Sequence, residues 1–119
     1  MTTMTEPENS LVSSSDVNGT EVFGRDGNNI GAIDHLMIDK TSGNVAYAVM
    51  GFGGFLGLGE DHYPVPWSKL RYSTDQGGFV TDLTEEDVKG APQPQNQWHA
   101  DREWERRTHQ HYGVPFYWL

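Results

Sequence analysis

Residues 53–67 read GGFLGLGEDHYPVPW, and the fold of this chain depends on that stretch more than on any other. Its glycines permit positive φ angles and close backbone approaches, whereas Pro64 and Pro66 fix φ and remove two amide donors. We therefore expect the stretch to turn, to bulge and then to run extended. Because proline is tolerated mainly at sheet edges and strand starts, residues 63–66 are predicted to form either an edge strand or the start of a strand.

The same glycines are not those of a phosphate-binding loop. A third glycine would be required at the position of His62, and the chain has no Gly-Lys-Ser/Thr sequence. The run also joins one strand to another, so no helix N-terminus would face a phosphate. The glycines are therefore predicted to shape a bulge and a flap.

The segments on either side of this stretch have the patterns of short strands. Residues 30–39 follow a turn at 25–28, and Gly31 and Asp34 indicate a bulge or bend within them. Residues 45–52 are apolar on both faces, which is typical of a central strand whose outer face is covered by a loop, a helix or another subunit. A further hairpin is predicted around 74–77, and Thr84 is predicted to cap a short helix.

Length, charge and cysteine content limit the class of protein. A chain of 119 residues is long enough for one compact domain. It has no cysteine, which excludes disulfides and thiolate metal sites, and its net charge of −9 argues against nucleic acid as a partner. No apolar run approaches the roughly 20 residues of a membrane span, and the N-terminus is polar, so we expect a cytoplasmic protein without membrane insertion.

The two ends of the chain are predicted to lie outside the β domain. We expect a disordered tail at 1–14, a β domain at 15–91 and a Pro-rich linker with a C-terminal arm at 92–119. The arm begins with a charged, helical run and ends in an aromatic cluster. Full burial of each large apolar side chain is worth roughly 1.5–3 kcal/mol, so we expect something to cover that cluster.

The order of landmarks resembles the PRC-barrel family. Residues 19–39 fit the pattern GxxVxxxDGxxIGxIxxLxID, and a glycine-ended turn, the strand VAYAVMGFGGFLGLGE and then VPW with Leu70 follow. The resemblance covers residues 15–91. It implies a mainly β fold, a small and strongly bent antiparallel β-barrel, with a short helix after the last strand and a C-terminal helical and aromatic arm.

The same resemblance implies relatives of two kinds, the cytoplasmic part of the photosynthetic reaction-centre H subunit and the C-terminal domain of a ribosome maturation factor. We expect the chain to depart from both, because its N-terminus is polar where the first relative has a membrane helix, and because too few residues remain for a second barrel. It is most similar to small stand-alone bacterial members. The family is known mainly for protein contacts, so this role comes by analogy of fold. An accessory role related to photosynthetic reaction-centre proteins, or to RNA-processing and ribosome-assembly proteins, is a further alternative that the same resemblance implies.

Candidate chemistry is sparse. Glu60, Asp61 and His62 could bind a metal or act as an acid and base pair, but consecutive residues in an extended segment alternate faces, which favours a solvated turn. In the arm, His99 and Glu103 are one helical turn apart, whereas His109 and His111 face opposite ways, which favours a solvated helix face. We therefore assign no catalytic residue, no metal ligand and no cofactor.

Two functions from different classes follow. The first is a non-enzymatic interaction or assembly module that binds a protein partner, most simply a second copy in a two-fold homodimer. The alternative is a small-molecule or metal-binding domain centred on residues 60–62. The predicted contact surface comprises Tyr47, Phe55, Leu56, Val114, Phe116, Tyr117, Trp118 and Leu119.

Overall fold

The protein is known from a computed structural model that describes residues 11–52, 61–92 and 101–118. Six strands form one sheet in the order β4-β3-β2-β1-β6-β5. The strands are β1 (Glu21–Phe23), β2 (Asn29–Ile38), β3 (Val45–Phe52), β4 (Asp61–Pro66), β5 (Arg71–Ser73) and β6 (Gly78–Val80). The helices are α1 (Ser14–Val17), α2 (Glu85–Lys89) and α3 (Arg102–Tyr112), with a 3₁₀ turn at Trp67–Lys69.

Bulges bend the two longest strands. In the β2–β3 ladder Ile33 pairs with Met50 and His35 pairs with Val49, so Asp34 is an extra residue on β2. The register shifts again near the end of β2, and a third shift separates Val22 and Phe23 in the β1–β2 ladder. An extra residue on one strand increases local twist and curvature, so these shifts bend the sheet. The bulge predicted at Asp34 is confirmed.

The two halves of the sheet meet at a parallel pair. Val22 of β1 pairs with Phe79 of β6, and every other pair of neighbouring strands is antiparallel. The backbones approach closely here, because a Cβ added at Gly78 would lie 2.5 Å from the carbonyl oxygen of Glu21. The glycine at this position therefore permits the contact. The family resemblance implied an antiparallel barrel, and this parallel pair differs from that expectation.

The ends of the sheet are β4 and β5, which do not pair with each other among the described residues. Strand β4 contains Pro64 and Pro66, which cannot donate to a further strand, and its predicted edge position is confirmed. Strand β5 has no proline and pairs on one side with β6. Gly78 and Val80 of β6 face β5 and pair with Ser73 and Arg71, so the Tyr72 amide faces the outer edge of β5. Among the described residues, this is the sheet edge without a proline.

Local hydrogen bonds define the helix ends. In α2 the hydroxyl of Thr84 accepts from the Asp87 amide while the Asp87 carboxylate accepts from the Thr84 amide, which confirms the predicted cap. Asp101 caps α3 by accepting from the Trp104 amide, and Gly113 ends it in the left-handed conformation at φ 69°. Ser14, the last residue of the predicted tail, is the first residue of α1.

The apolar side chains form two clusters on opposite faces of β3. The main core lies between the sheet and the short helices and contains the fully buried Val22, Ala48, Val65 and Val88. The second cluster consists of Ala46, Tyr47 and Trp104, with Met37 packed against it. The prediction that β3 is central and apolar on both faces is confirmed. The mainly β fold with a short helix after the last strand and a helical C-terminal arm is confirmed as well.

Candidate interaction surface

The outer face of β3 is covered by the C-terminal arm of the same chain. Tyr47 is 2 % exposed, and its ring lies 6.0 Å from that of Trp104, which is completely buried. The Trp104 Nε1 group donates to the carbonyl oxygen of Pro92 at 3.0 Å, which holds the start of the linker against α3. Tyr47 therefore contributes to an internal contact within one chain.

A buried carboxylate joins this helix to the strand and to the end of the arm. Glu105 is 4 % exposed, and its Oε1 atom accepts from the Tyr47 hydroxyl at 2.8 Å and from the Tyr117 hydroxyl at 2.7 Å. Arg102 Nη1 lies 3.6 Å from the other carboxylate oxygen. Burial, and then the hydrogen bond to Glu105, raise the pKa of Tyr117 to about 12, and the same causes raise the pKa of Tyr47. Both hydroxyls therefore remain donors at neutral pH.

Raising the pH above 10 is expected to remove the stabilisation that the Tyr117 hydroxyl gains from its hydrogen bond to Glu105. The unfolded chain loses the tyrosine proton near pH 10, whereas the folded chain keeps it until about pH 12. The stability that Tyr117 contributes is therefore complete below pH 10 and is lost between pH 10 and 12. Urea unfolding across this range should show a steeper fall for the parent protein than for Tyr117→Phe. Parallel curves would contradict the assignment.

The aromatic residues at the end of the arm mostly contact one another. Phe116 stacks on Trp118 with ring centroids 4.8 Å apart, and the Arg102 guanidinium lies 3.9 Å from the centroid of the Trp118 ring. Val114 is half-buried against the main core. Tyr117 is 37 % exposed and has the most accessible large apolar side chain among the described residues of the arm. We expected the aromatic cluster to be covered, and the residues that cover it belong largely to its own chain.

Four of the sequence-predicted site residues lie outside the described residues, namely Phe55, Leu56, Glu60 and Leu119. The side chain of Asp61 lies outside them as well. The flap predicted at 53–60 lies there too. His99 of the arm is also in an undescribed range. The structure therefore does not place the Phe55–Leu56 tip or the complete acid and imidazole trio.

His62, the remaining member of that trio, faces the bulged residue of β2. Its Nε2 atom lies 3.7 Å from Asp34 Oδ1, while the second carboxylate oxygen of Asp34 is 2.7 Å from His35 Nδ1. The hydrogen bond from His35 holds the pKa of Asp34 below its usual value. Across residues 11–52, 61–92 and 101–118, no group of three His, Cys, Asp or Glu residues is arranged to hold a metal ion.

The arm residues that suggested a metal site have separate roles. Glu103 is exposed and pairs with Arg106 at 3.2 Å, whereas His109 is buried and its Nδ1 donates to the Glu105 carbonyl oxygen at 2.7 Å. His111 Nε2 donates to the carbonyl oxygen of Asp87, also at 2.7 Å. The structure therefore separates these side chains and uses the two histidines as internal hydrogen-bond donors.

An apolar groove lies between α1 and the β5–β6 hairpin. Its volume is about 680 Å³, and its floor includes Trp67 and Phe79. Leu11, Val12 and Tyr72 line it while being 86 %, 64 % and 54 % exposed. They are three of the five exposed large hydrophobic side chains in the described part of the chain. This groove was not predicted, because its walls come from the predicted tail and from a hairpin far along the chain.

A basic pocket of about 540 Å³ lies on the other face of the same hairpin. Among the described residues it is lined by three basic side chains, Arg25, Lys69 and Arg71, and by a single acid, Asp82. Arg25 Nε donates to the Asp82 carbonyl oxygen at 2.9 Å, which fixes this guanidinium at the pocket. Lys69 Nζ lies 3.7 Å from Asp82 Oδ1. The pocket is therefore a local positive region on an acidic protein.

Comparison with known proteins identifies the family. The model of the PRC-barrel domain matches residues 10–88, which is more than half of the chain, and the chain belongs to the PRC-barrel family. No curated protein matches it. In the part of the chain that the structure describes, no helix combines the length and apolar character needed to cross a bilayer.

One solved structure with a similar chain is a putative 16S ribosomal RNA processing protein RimM from Pseudomonas aeruginosa. The two chains are 21 % identical and superpose with a TM-score of 0.43. The match covers 68 % of this chain and 50 % of that one, so the present chain spans about half the length of the RimM chain.

Proposed function

We propose that this chain is a non-enzymatic protein-interaction module whose contact surface is the apolar groove between α1 and the β5–β6 hairpin. The observation that carries the proposal is the concentration of exposed apolar side chains, Leu11, Val12 and Tyr72, around one groove. Large exposed apolar patches on a soluble domain are characteristic of contact sites. The groove replaces the predicted surface at Tyr47, which is buried against α3.

The lining of the groove favours binding over catalysis. Asp16 is the one titratable carboxylate that lines it among the described residues, and no histidine, lysine or arginine accompanies that carboxylate there. The hydroxyl of Thr20 donates to the backbone carbonyl oxygen of Asp16 and not to a carboxylate or an imidazole. A nucleophile with a base, or an acid paired with a base, is the minimum for most catalytic sites. A non-enzymatic role is therefore the proposal that the groove supports.

A photo-crosslinking amino acid placed at Tyr72 is expected to capture a protein in the native cells, whereas the same group at Ile38 is not. The two positions are 54 % and 57 % exposed, so Ile38 is a control matched for exposure but remote from the groove. Mass spectrometry of the adducts is the measurement. Equal capture at both positions, or none at position 72, would contradict the proposal.

Self-association is a finer form of the same proposal and has less support. The apolar residues that suggested a dimer, Tyr47 and the aromatic cluster, contact each other within one chain. Light scattering of the intact protein measures the mass, and a crosslink from position 72 to a second copy would place a homodimer at the groove. A cytoplasmic location, and the roles in a reaction centre or in ribosome assembly that the resemblance implied, remain predictions.

A further inference from the structure

Strand β5 separates the apolar groove from the basic pocket. Arg71 and Tyr72 are consecutive residues of this strand, and successive side chains of a strand point to opposite faces. Arg71 lines the basic pocket and Tyr72 lines the apolar groove. Leu70, immediately before the strand, lines both. The two surfaces are therefore adjacent, on either side of one three-residue strand.

The same strand ends the sheet. Among the described residues β5 pairs with β6 alone, and it is the last strand in the sheet order. An edge strand presents backbone amide and carbonyl groups that can pair with an extended segment of another chain. The opposite edge strand, β4, has two prolines and cannot donate from those positions. The outer edge of β5 is thus the edge suited to strand addition.

The charges around β5 indicate which kind of partner segment would bind beside this strand. Arg25, Lys69 and Arg71 line one face, where Asp82 supplies the single opposing carboxylate among the described lining residues. A second copy that paired by the same edge would bring two basic pockets of like charge together, which is unfavourable. A segment with acidic side chains on this face would instead be attracted to it. Because side chains alternate along a strand, the residues between the acids would face the apolar groove.

We propose that β5 binds an extended partner segment in which acidic and apolar residues alternate, as an added strand of the sheet. The acidic side chains meet Arg71 and Lys69 in the basic pocket, and the apolar side chains pack in the groove against Tyr72. The inference rests on the proposed interaction function and specifies the partner.

The test uses the intact protein and three synthetic peptides. The first is a Val-Glu repeat, the second a Val-Lys repeat of equal length, and the third has the composition of the first with its valines and glutamates in two separate blocks. Titration calorimetry is expected to show binding of the Val-Glu repeat above both others, and added salt should weaken that binding. Hydrogen exchange is expected to show new protection of the Tyr72 amide, which faces the outer edge of β5, when this peptide is bound.

Variants on the two faces of β5 distinguish the contribution of the basic pocket to peptide binding from that of the apolar groove. Arg71→Glu is expected to weaken binding of the Val-Glu repeat by about tenfold or more, because an attraction becomes a repulsion. Tyr72→Ala should weaken it while leaving the dependence on salt unchanged. Arg106→Glu, at an exposed position on α3, is the control for overall charge and should bind as the parent does.

The inference is overturned by equal binding of the Val-Glu and Val-Lys repeats, by equal binding of the alternating and block peptides, or by binding that leaves the Tyr72 amide unprotected. A homodimer that protects this amide would also overturn it, since a second copy would then be the occupant. Crosslinks from position 72 to a protein without such a segment would sink this inference alone. Absence of any crosslink at position 72 would instead count against the interaction function itself.

Discussion

Replacing Trp104 with alanine is expected to lower the free energy that holds α3 on the sheet by about 3–5 kcal/mol, the usual cost of truncating a buried tryptophan. The indole is completely buried, packs beside Tyr47, and donates to the carbonyl oxygen of Pro92. The substitution removes both the packing and the hydrogen bond, and it leaves a cavity over the outer face of β3. Faster hydrogen exchange of the α3 amides measures this loss.

Glu103→Ala provides the control for the Trp104 experiment. Glu103 precedes Trp104 on the same helix, but its side chain is 67 % exposed and pairs only at the surface with Arg106. Exposed ion pairs of this kind contribute roughly 0–1 kcal/mol, so exchange in α3 should change little. If Trp104→Ala left the exchange of α3 as slow as this control does, the helix would not be held by the indole.

The second large effect is expected at Glu105. Glu105→Ala removes the acceptor shared by the Tyr47 and Tyr117 hydroxyls, and Tyr47 is 2 % exposed. A buried donor left without its acceptor costs about 1–3 kcal/mol, and Arg102 loses its carboxylate neighbour as well. We therefore expect a lower midpoint of urea unfolding and greater exposure of the end of the arm.

Glu105→Gln distinguishes the effect of the hydrogen-bond acceptor at this position from the effect of the negative charge. Glutamine keeps an oxygen that can accept from both tyrosine hydroxyls, while the charge opposite Arg102 is lost. Its cost is expected to be smaller than that of Glu105→Ala, because the hydroxyls keep an acceptor. Equal losses for the two variants would mean that the negative charge, and not the hydrogen bonds, holds the arm.

Local patterns of the sequence predicted most of the elements. The continuous apolar run at 45–52 predicted β3, Thr84 predicted the cap of α2, and the prolines of 63–66 indicated an edge strand. Each of these signals acts within a few residues. The bulge at Asp34 was also visible, since it interrupts the apolar period of β2. Backbone preference and side-chain periodicity were sufficient for these features.

The features that were missed depend on contacts between distant residues. The parallel β1–β6 pair joins segments with no local sign of their pairing. The aromatic arm was expected to be covered, but whether by its own chain or by a second copy depends on the fit of Trp104 and Glu105 against β3. The groove combines the predicted tail with a distant hairpin. No short pattern specifies where two such surfaces meet.

The parallel pairing of β1 with β6 has a consequence for the order of folding. Strands β1, β2, β3 and β4 follow one another along the chain and pair with their neighbours in that order, and β5 pairs with the adjacent β6. The joint between these two units instead pairs Val22 with Phe79, residues separated by 79 − 22 = 57 positions. Contacts this distant along a chain form late and slowly. During synthesis the β1–β4 meander can assemble first, whereas the sheet is completed only after β6 has left the ribosome.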